Sequence, residues 1–257
     1  MKVLQTAERV SDLDISDNFV YQRSVLAYVE AAKLVSGRVM EIGTGMGYGL
    51  KHIAPKCEKF VTIDKHQELE NFDEYENVEF LQMNVPPFNG IEDNSFDFVI
   101  TFQVIEHIED DNKFVEEIYR VLKPGGKLIV TTPNIKMSLT RNPWHVREYT
   151  VTELKDCLLK SFQAVTANGV FGNDKIMEYY AENKRSVERI TRFDIFDFQH
   201  KLPRRLLQIP YDILNRWNRK KILEGNQKMV SDIKMDDYFV KTADDACFDL
   251  MYIAEKK

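Results

Sequence analysis

The 257-residue chain predicts an α/β fold, a doubly wound and mostly parallel seven-stranded sheet with a helical insertion before the last strand. Three observations lead there. The first half alternates short β-rich runs with stretches of helical period, the pattern of parallel strands covered by helices on both faces. A glycine-rich run directly follows the first of those strands. Near the C-terminus, two strand-like runs are separated by roughly 75 residues, where a connection of several residues would suffice.

The elements follow in order. Strands are expected at 38–42, 59–64, 78–82 and 96–101. A helix comes next, capped by Asp110 or Asp111, with Phe114, Val115, Ile118, Tyr119 and Leu122 as its apolar stripe. Lys123-Pro124-Gly125-Gly126 stops it and turns the chain into a fifth strand at 127–132. A short helix at 152–160 and strands at 162–171 and 247–254 complete the core, the last strand closing the sheet edge. The expected division is a core of residues 1–172 and 247–257 and a helical insertion or cap at 173–246.

Composition narrows the function. Hydrophobic residues make up 44% and charged residues 30%, an ordinary globular balance. No apolar run approaches the roughly 18 residues of a membrane span, and residues 1–5 carry none of signal-peptide length. Cys57, Cys157 and Cys247 are far apart, without metal-ligand spacing, and read as reduced thiols of a cytoplasmic protein. A net charge of −6 argues against a nucleic-acid partner.

Chemistry concentrates in two places. In Glu41-Ile42-Gly43-Thr44-Gly45-Met46-Gly47-Tyr48-Gly49 the glycines permit positive backbone angles and let a ligand lie against bare backbone. A dinucleotide fingerprint starting at Gly43 would need glycine where Tyr48 stands, which disfavours a nicotinamide-dependent oxidoreductase. Asp64, 21 residues after Gly43 at the end of the second strand, can accept both hydroxyls of a ribose, or simply cap the following turn.

Glu41 to Gly49, Asp64, Ser95-Phe96-Asp97-Phe98-Val99, Val104-Ile105-Glu106-His107-Ile108, Val121 to Gly126 and Thr131-Thr132-Pro133-Asn134 occur in register. Together they resemble the class I S-adenosylmethionine-dependent methyltransferases, in the small-molecule branch that includes the ubiquinone-biosynthesis O-methyltransferases. The resemblance spans about residues 20–170 and implies a Rossmann-like methyltransferase fold with S-adenosylmethionine as cofactor. It further implies that Gly43, Thr44, Gly45 and Gly47 contact the methionine end, with Glu41 orienting its amino group. Asp64 would hold the ribose, Lys65 would pack beside the adenosine, and Asn84 would replace the usual Asp at the adenine amino group. Phe102 and Gln103 would line the transfer site. The implied reaction is methyl transfer to an oxygen, or less readily a nitrogen, of a small-molecule, glycan-like or lipid-linked acceptor.

His107 and His145 are the candidate general bases, each weighed against a structural histidine bonding between loops. The related ubiquinone-pathway enzymes can hold a divalent cation with an acidic residue and the Glu-His pair. Here Gln103 takes the acidic place, and no required metal is expected. Thr101-Phe102-Gln103-Val104 lacks the Asn/Asp-Pro-Pro-aromatic tetrapeptide of the DNA amino-methyltransferases, which disfavours a nucleic-acid acceptor. Tyr21 and Arg23, in the helix before the first strand, are candidates for acceptor recognition.

Residues 201–221 carry seven cations against one Asp, a local +6, with an apolar face broken by Pro203 and Pro210. This suits peripheral contact with an anionic membrane at its inner face, an acidic lipid-linked acceptor, or a helical lid whose cations are merely solvated. The rival from another class is a protein that binds S-adenosylmethionine without turnover and docks through this insertion.

Overall fold

In the computed structural model, residues 10, 13–66, 74–192, 194 and 197–257 are described. Residues 1–5, read above for a leader, lie outside them. The strands are β1 (Arg38–Ile42), β2 (Lys59–Asp64), β3 (Val78–Gln82), β4 (Phe96–Phe102), β5 (Leu122–Pro133), β6 (Ala164–Gly172), β7 (Tyr238–Thr242) and β8 (Asp249–Glu255). The helices are α1 (Asn18–Ala32), α2 (Leu50–Ile53), α3 (Asp111–Val121), α4 (Val151–Leu159), α5 (Asp174–Thr191), α6 (Phe198–Lys201), α7 (Arg204–Gly225) and α8 (Gln227–Ser231).

The strands form one sheet in the order β3-β2-β1-β4-β5-β8-β6-β7. Neighbours from β3 through β5 pair in parallel, while β8 is antiparallel to both β5 and β6. Alternate side chains divide between two cores, as the two-residue period of a strand requires. Val39, Phe60, Ile100 and Ile129 meet α1, α2, α5 and α8 on one face. Met40, Ile42, Val61, Ile63, Val99 and Leu128 meet α3 and α4 on the other. Asp110 caps α3 by accepting from the Lys113 N–H at 2.9 Å. A reciprocal Thr150–Glu153 box opens α4.

Two expectations are corrected. Among the described residues the sheet has eight strands rather than seven, because β7 adds antiparallel to β6 within the stretch read as mostly helical. Its Tyr-Phe-Val-Lys-Thr sequence favours a strand, but five residues amid long helical patterns are a weak signal. The last strand does not close the edge. Leu250, Met251, Tyr252 and Ala254 are all buried, and side chains from both faces of a strand find cover only in the sheet interior. A smaller difference concerns β5, which starts at Leu122. Residues 123–126 are absorbed as a register irregularity opposite Phe96–Phe98, with Gly125 at φ +79°.

The 173–246 stretch folds back onto the α1 face. Phe19 of α1 stacks on Tyr179 of α5 with ring centroids 4.4 Å apart, and the Tyr238 hydroxyl donates to the Phe19 carbonyl at 2.6 Å. Pro203 stands at the N-cap position of α7 without a side-chain capping bond, and the helix runs unbroken through Pro210. The carbonyl that loses its partner there belongs to Leu206, on an exposed face where water can serve it.

Candidate active site

At the carboxyl ends of β1, β2 and β4 lies a cleft of about 920 Å3, the position where open α/β sheets take ligands. Gly43, Gly45 and Gly47 have φ of +92°, +50° and +75°. A Cβ on Gly43 would lie 2.4 Å from Val104 Cγ2, whereas nothing stands within 4 Å of one on Gly45. The loop is thus packed from behind at Gly43 and open in front at Gly45. Asp64 ties it down: Oδ2 accepts from the Gly45 N–H and Oδ1 from the His66 N–H, both at 3.0 Å. Each oxygen keeps a further lone pair. Gly43, Thr44, Gly45, Asp64, Lys65, Asn84, Phe102 and Gln103 all line the cleft. Gln103 does so from φ +57°, a left-handed backbone that a non-glycine residue adopts only under constraint.

Glu41 and Gly47 are not among the residues lining the cleft. Glu41 is 1% exposed and its carboxylate is engaged behind the loop, accepting from the Tyr28 hydroxyl at 2.8 Å and the Thr62 hydroxyl at 2.6 Å. The Thr44 hydroxyl, 2.6 Å from that of Thr62, joins this network rather than projecting forward. Both side chains therefore brace the loop from within, while Thr44 still lines the cleft. A Cβ on Gly49 would come within 2.7 Å of Glu41 Oε1, so the network also dictates glycine there.

Burial pushes the Glu41 carboxyl up to about 7, against the lowering pull of the two hydroxyls. An acid raised in the folded state favours folding below its ordinary value of 4.5 and loses that advantage as pH climbs to about 7. The contribution that disappears is about 3 kcal/mol. Denaturant unfolding at pH 5 and pH 8 should show this decline, and Glu41→Gln should remove most of it. An unchanged slope in the variant would reject the assignment.

The far end of the cleft holds both candidate histidines, with ring centroids 5.0 Å apart. His107 Nδ1 lies 3.1 Å from the Trp144 carbonyl, which can only accept, so Nδ1 carries the proton and Nε2 the basic lone pair. His145 is 8% exposed and differently committed. Asn142 Oδ1 accepts from the Trp144 N–H at 3.0 Å, which turns its Nδ2 toward His145 Nε2 at 2.9 Å. His145 Nδ1 then donates to Glu148 Oε1 at 2.7 Å. In this arrangement His107 is held through Nδ1, and both ring nitrogens of His145 are engaged. Glu106, His107 and His145 place donor atoms within 4.8 Å of one another, a third donor that sequence spacing could not reveal. With Glu106 Oε2 accepting from Thr132 and both His145 nitrogens engaged, these groups serve a hydrogen-bond network in this arrangement.

A second cavity of about 530 Å3 adjoins the first beneath α5 and α7. Val20, Arg23, Pro133, Asn142, His145, Tyr211 and Arg219 line both. Its walls are largely apolar, with Phe19, Met137, Val187, Ile190, Leu207 and Phe248 among them. On the wall of the cleft, close to this junction, stands Asp249, 4% exposed and paired with Arg23 Nε at 2.8 Å. Burial raises its carboxyl, partly offset by Arg23 and by the nearby Gln103 amide. Its Oδ1 is buried without a hydrogen-bond partner among the described residues. Sequence reasoning missed Asp249; the available signal was an acid inside an otherwise apolar strand.

Residues 40–130 match the methyltransferase domain family. A probable S-adenosylmethionine-dependent methyltransferase of Mycobacterium tuberculosis is 35% identical over 192 residues, covering 71% of this chain and 69% of that protein. The chain belongs to the S-adenosylmethionine-dependent methyltransferases. A ubiquinone biosynthesis O-methyltransferase of Xanthomonas oryzae is 29% identical over 116 residues, 42% of this chain and 48% of the relative. The fold matches a Thermotoga maritima structure described as an S-adenosylmethionine-dependent methyltransferase, possible histamine N-methyltransferase, with a TM-score of 0.56 at 19% identity over 93% of this chain and 92% of that one.

The cleft of this methyltransferase fits its cofactor. The open face at Gly45 admits a ligand against backbone, and Asp64 presents remaining lone pairs at the place a ribose would take. Asn84, Lys65 and Met83 line the cleft, as does Gln103 together with His107 and His145.

Proposed function

We propose that this methyltransferase transfers its methyl group to an oxygen of an acceptor whose apolar body occupies the 530 Å3 chamber. The observation that carries this reading is that the chamber adjoins the cofactor cleft and shares Arg23, His145 and Tyr211 with it. The bound cofactor supplies a sulfonium methyl already activated for displacement. The protein's part is therefore to align the acceptor, exclude water and take the proton that leaves. His107 Nε2 takes that proton, while Trp144 holds the ring through Nδ1. A second polar group of the acceptor, beside the reacting hydroxyl, meets the Gln103 amide and donates to Asp249 Oδ1, which has no other partner among the described residues. A neutral hydroxyl suits this apolar chamber better than an ammonium, whose desolvation would cost far more.

The test is transfer of isotope-labelled methyl from the cofactor into a cell extract, then partition between organic solvent and water. Label is expected in a solvent-extractable product whose methyl resonance is that of a methoxy group. An N-methyl product, or label confined to small water-soluble compounds, would refute the reading. With that acceptor, His107→Gln should lower kcat by about 10²- to 10⁴-fold. It should leave S-adenosylhomocysteine affinity within about twofold. Retained kcat would assign His107 to structure alone.

A further inference from the structure

Helix α7 presents two faces of different character. One is tied to the protein. Leu207, Tyr211 and Asn215 line the chamber, and Asn218 bonds Ser186 and Asn183 at 2.6 and 2.7 Å. The other carries Leu206, Ile209, Ile213 and Trp217, at relative exposures of 65%, 65%, 63% and 51%. Spacings of three and four residues place all four on one stripe, so they form a continuous exposed apolar band rather than scattered surface residues.

The cations sort the same way, which corrects the undivided +6 of the sequence reading. Arg216 and Arg219 turn inward to Asp17 at 2.9 and 2.6 Å, and Arg204 bonds Glu109 and the His145 carbonyl at 2.7 and 3.1 Å. Lys201, Arg205, Lys220 and Lys221 remain exposed beside the apolar band. Lys220 and Lys221 continue it at its C-terminal end, with Lys221 Nζ 4.9 Å from the Trp217 ring centroid. A band of leucine, isoleucine and tryptophan edged by cations is complementary to an interface that is apolar within and anionic at its rim. No described helix is long and apolar enough to cross a membrane, so contact through α7 would be parallel to the surface.

We propose that α7 seats the enzyme on an anionic phospholipid surface. Leu206, Ile209, Ile213 and Trp217 insert below the headgroups, and Arg205, Lys220 and Lys221 meet the phosphates. The inner face of the same helix roofs the acceptor chamber, so docking brings that chamber to the bilayer. The proposal concerns the outer face and stands independently of which atom is methylated.

The test is flotation of the full chain with phosphatidylcholine vesicles, with or without phosphatidylglycerol, while Trp217 emission is followed. Binding is expected only to the mixed vesicles. It should weaken with salt and be accompanied by a blue shift that Trp217→Phe abolishes. Ile209→Asp/Ile213→Asp should reduce binding about 100-fold, and Lys220→Glu/Lys221→Glu about tenfold or more. Unchanged S-adenosylhomocysteine binding in both variants would show that they fold. Equal binding by folded Ile209→Asp/Ile213→Asp, or no binding to mixed vesicles at low salt, would overturn the proposal. So would a dimer that this variant dissociates, since a second copy would then cover the face.

Discussion

Asp64→Ala is expected to weaken S-adenosylmethionine and S-adenosylhomocysteine binding about 100-fold while leaving the fold intact. The carboxylate has two functions at once. It fastens the Gly45 and His66 amides at 3.0 Å, and its remaining lone pairs face the cleft. Bonds to a charged acceptor contribute about 1.5–3 kcal/mol each when desolvated. Losing two of them, with some rigidity of the glycine loop, corresponds to a change of that size in Kd. Asp64→Asn keeps one acceptor oxygen and should lose about tenfold. Global stability should fall by no more than about 1 kcal/mol, because the site is partly open to solvent. Calorimetric titration of the three proteins decides the matter, and an unchanged Kd in Asp64→Ala would remove Asp64 from the ribose site.

Asp17→Ala should cost about 3 kcal/mol of stability, because it removes the carboxylate shared by two largely covered guanidinium groups and leaves Arg216 with the longer Asp14 contact at 3.7 Å. Asp17 is fully buried, and the Arg216 and Arg219 side chains are only 15% and 14% exposed. The cluster pins α7, late in the chain, to the turn preceding α1. Its loss should therefore lower hydrogen-exchange protection in α7 before the central strands are affected. Replacing the whole cluster as Asp17→Leu/Arg216→Met/Arg219→Met should recover most of the stability, since no unpaired charge then remains. Denaturant titrations read both effects. A loss below about 1 kcal/mol in the single variant would mean that water already screens the arginines.

The two residues contrast in how they could be found. Asp64 was legible because strand end, glycine loop and spacing are local properties of a parallel sheet. The same holds for β1 through β5 and for the cap of α3, whose signals lie within a few residues of the element they define. His107 was legible as a candidate, but its distinction from His145 was not. That distinction depends on which nitrogen faces the Trp144 carbonyl and which is taken by Asn142 and Glu148.

What the sequence determined by itself was therefore the parallel half of the sheet, the glycine loop with Asp64, the family resemblance and the cofactor. Tertiary structure decided the rest. It placed β8 inside the sheet and added β7 at its edge. It set Glu41 in a buried network with Tyr28 and Thr62. It brought Asp249 beside Arg23, 226 residues earlier in the chain, and divided the cations of α7 between Asp17 and the surface. The physical reason is range. Backbone propensity and side-chain period act over a few residues, whereas burial, charge pairing and the choice of strand neighbour depend on groups that only the folded chain brings together.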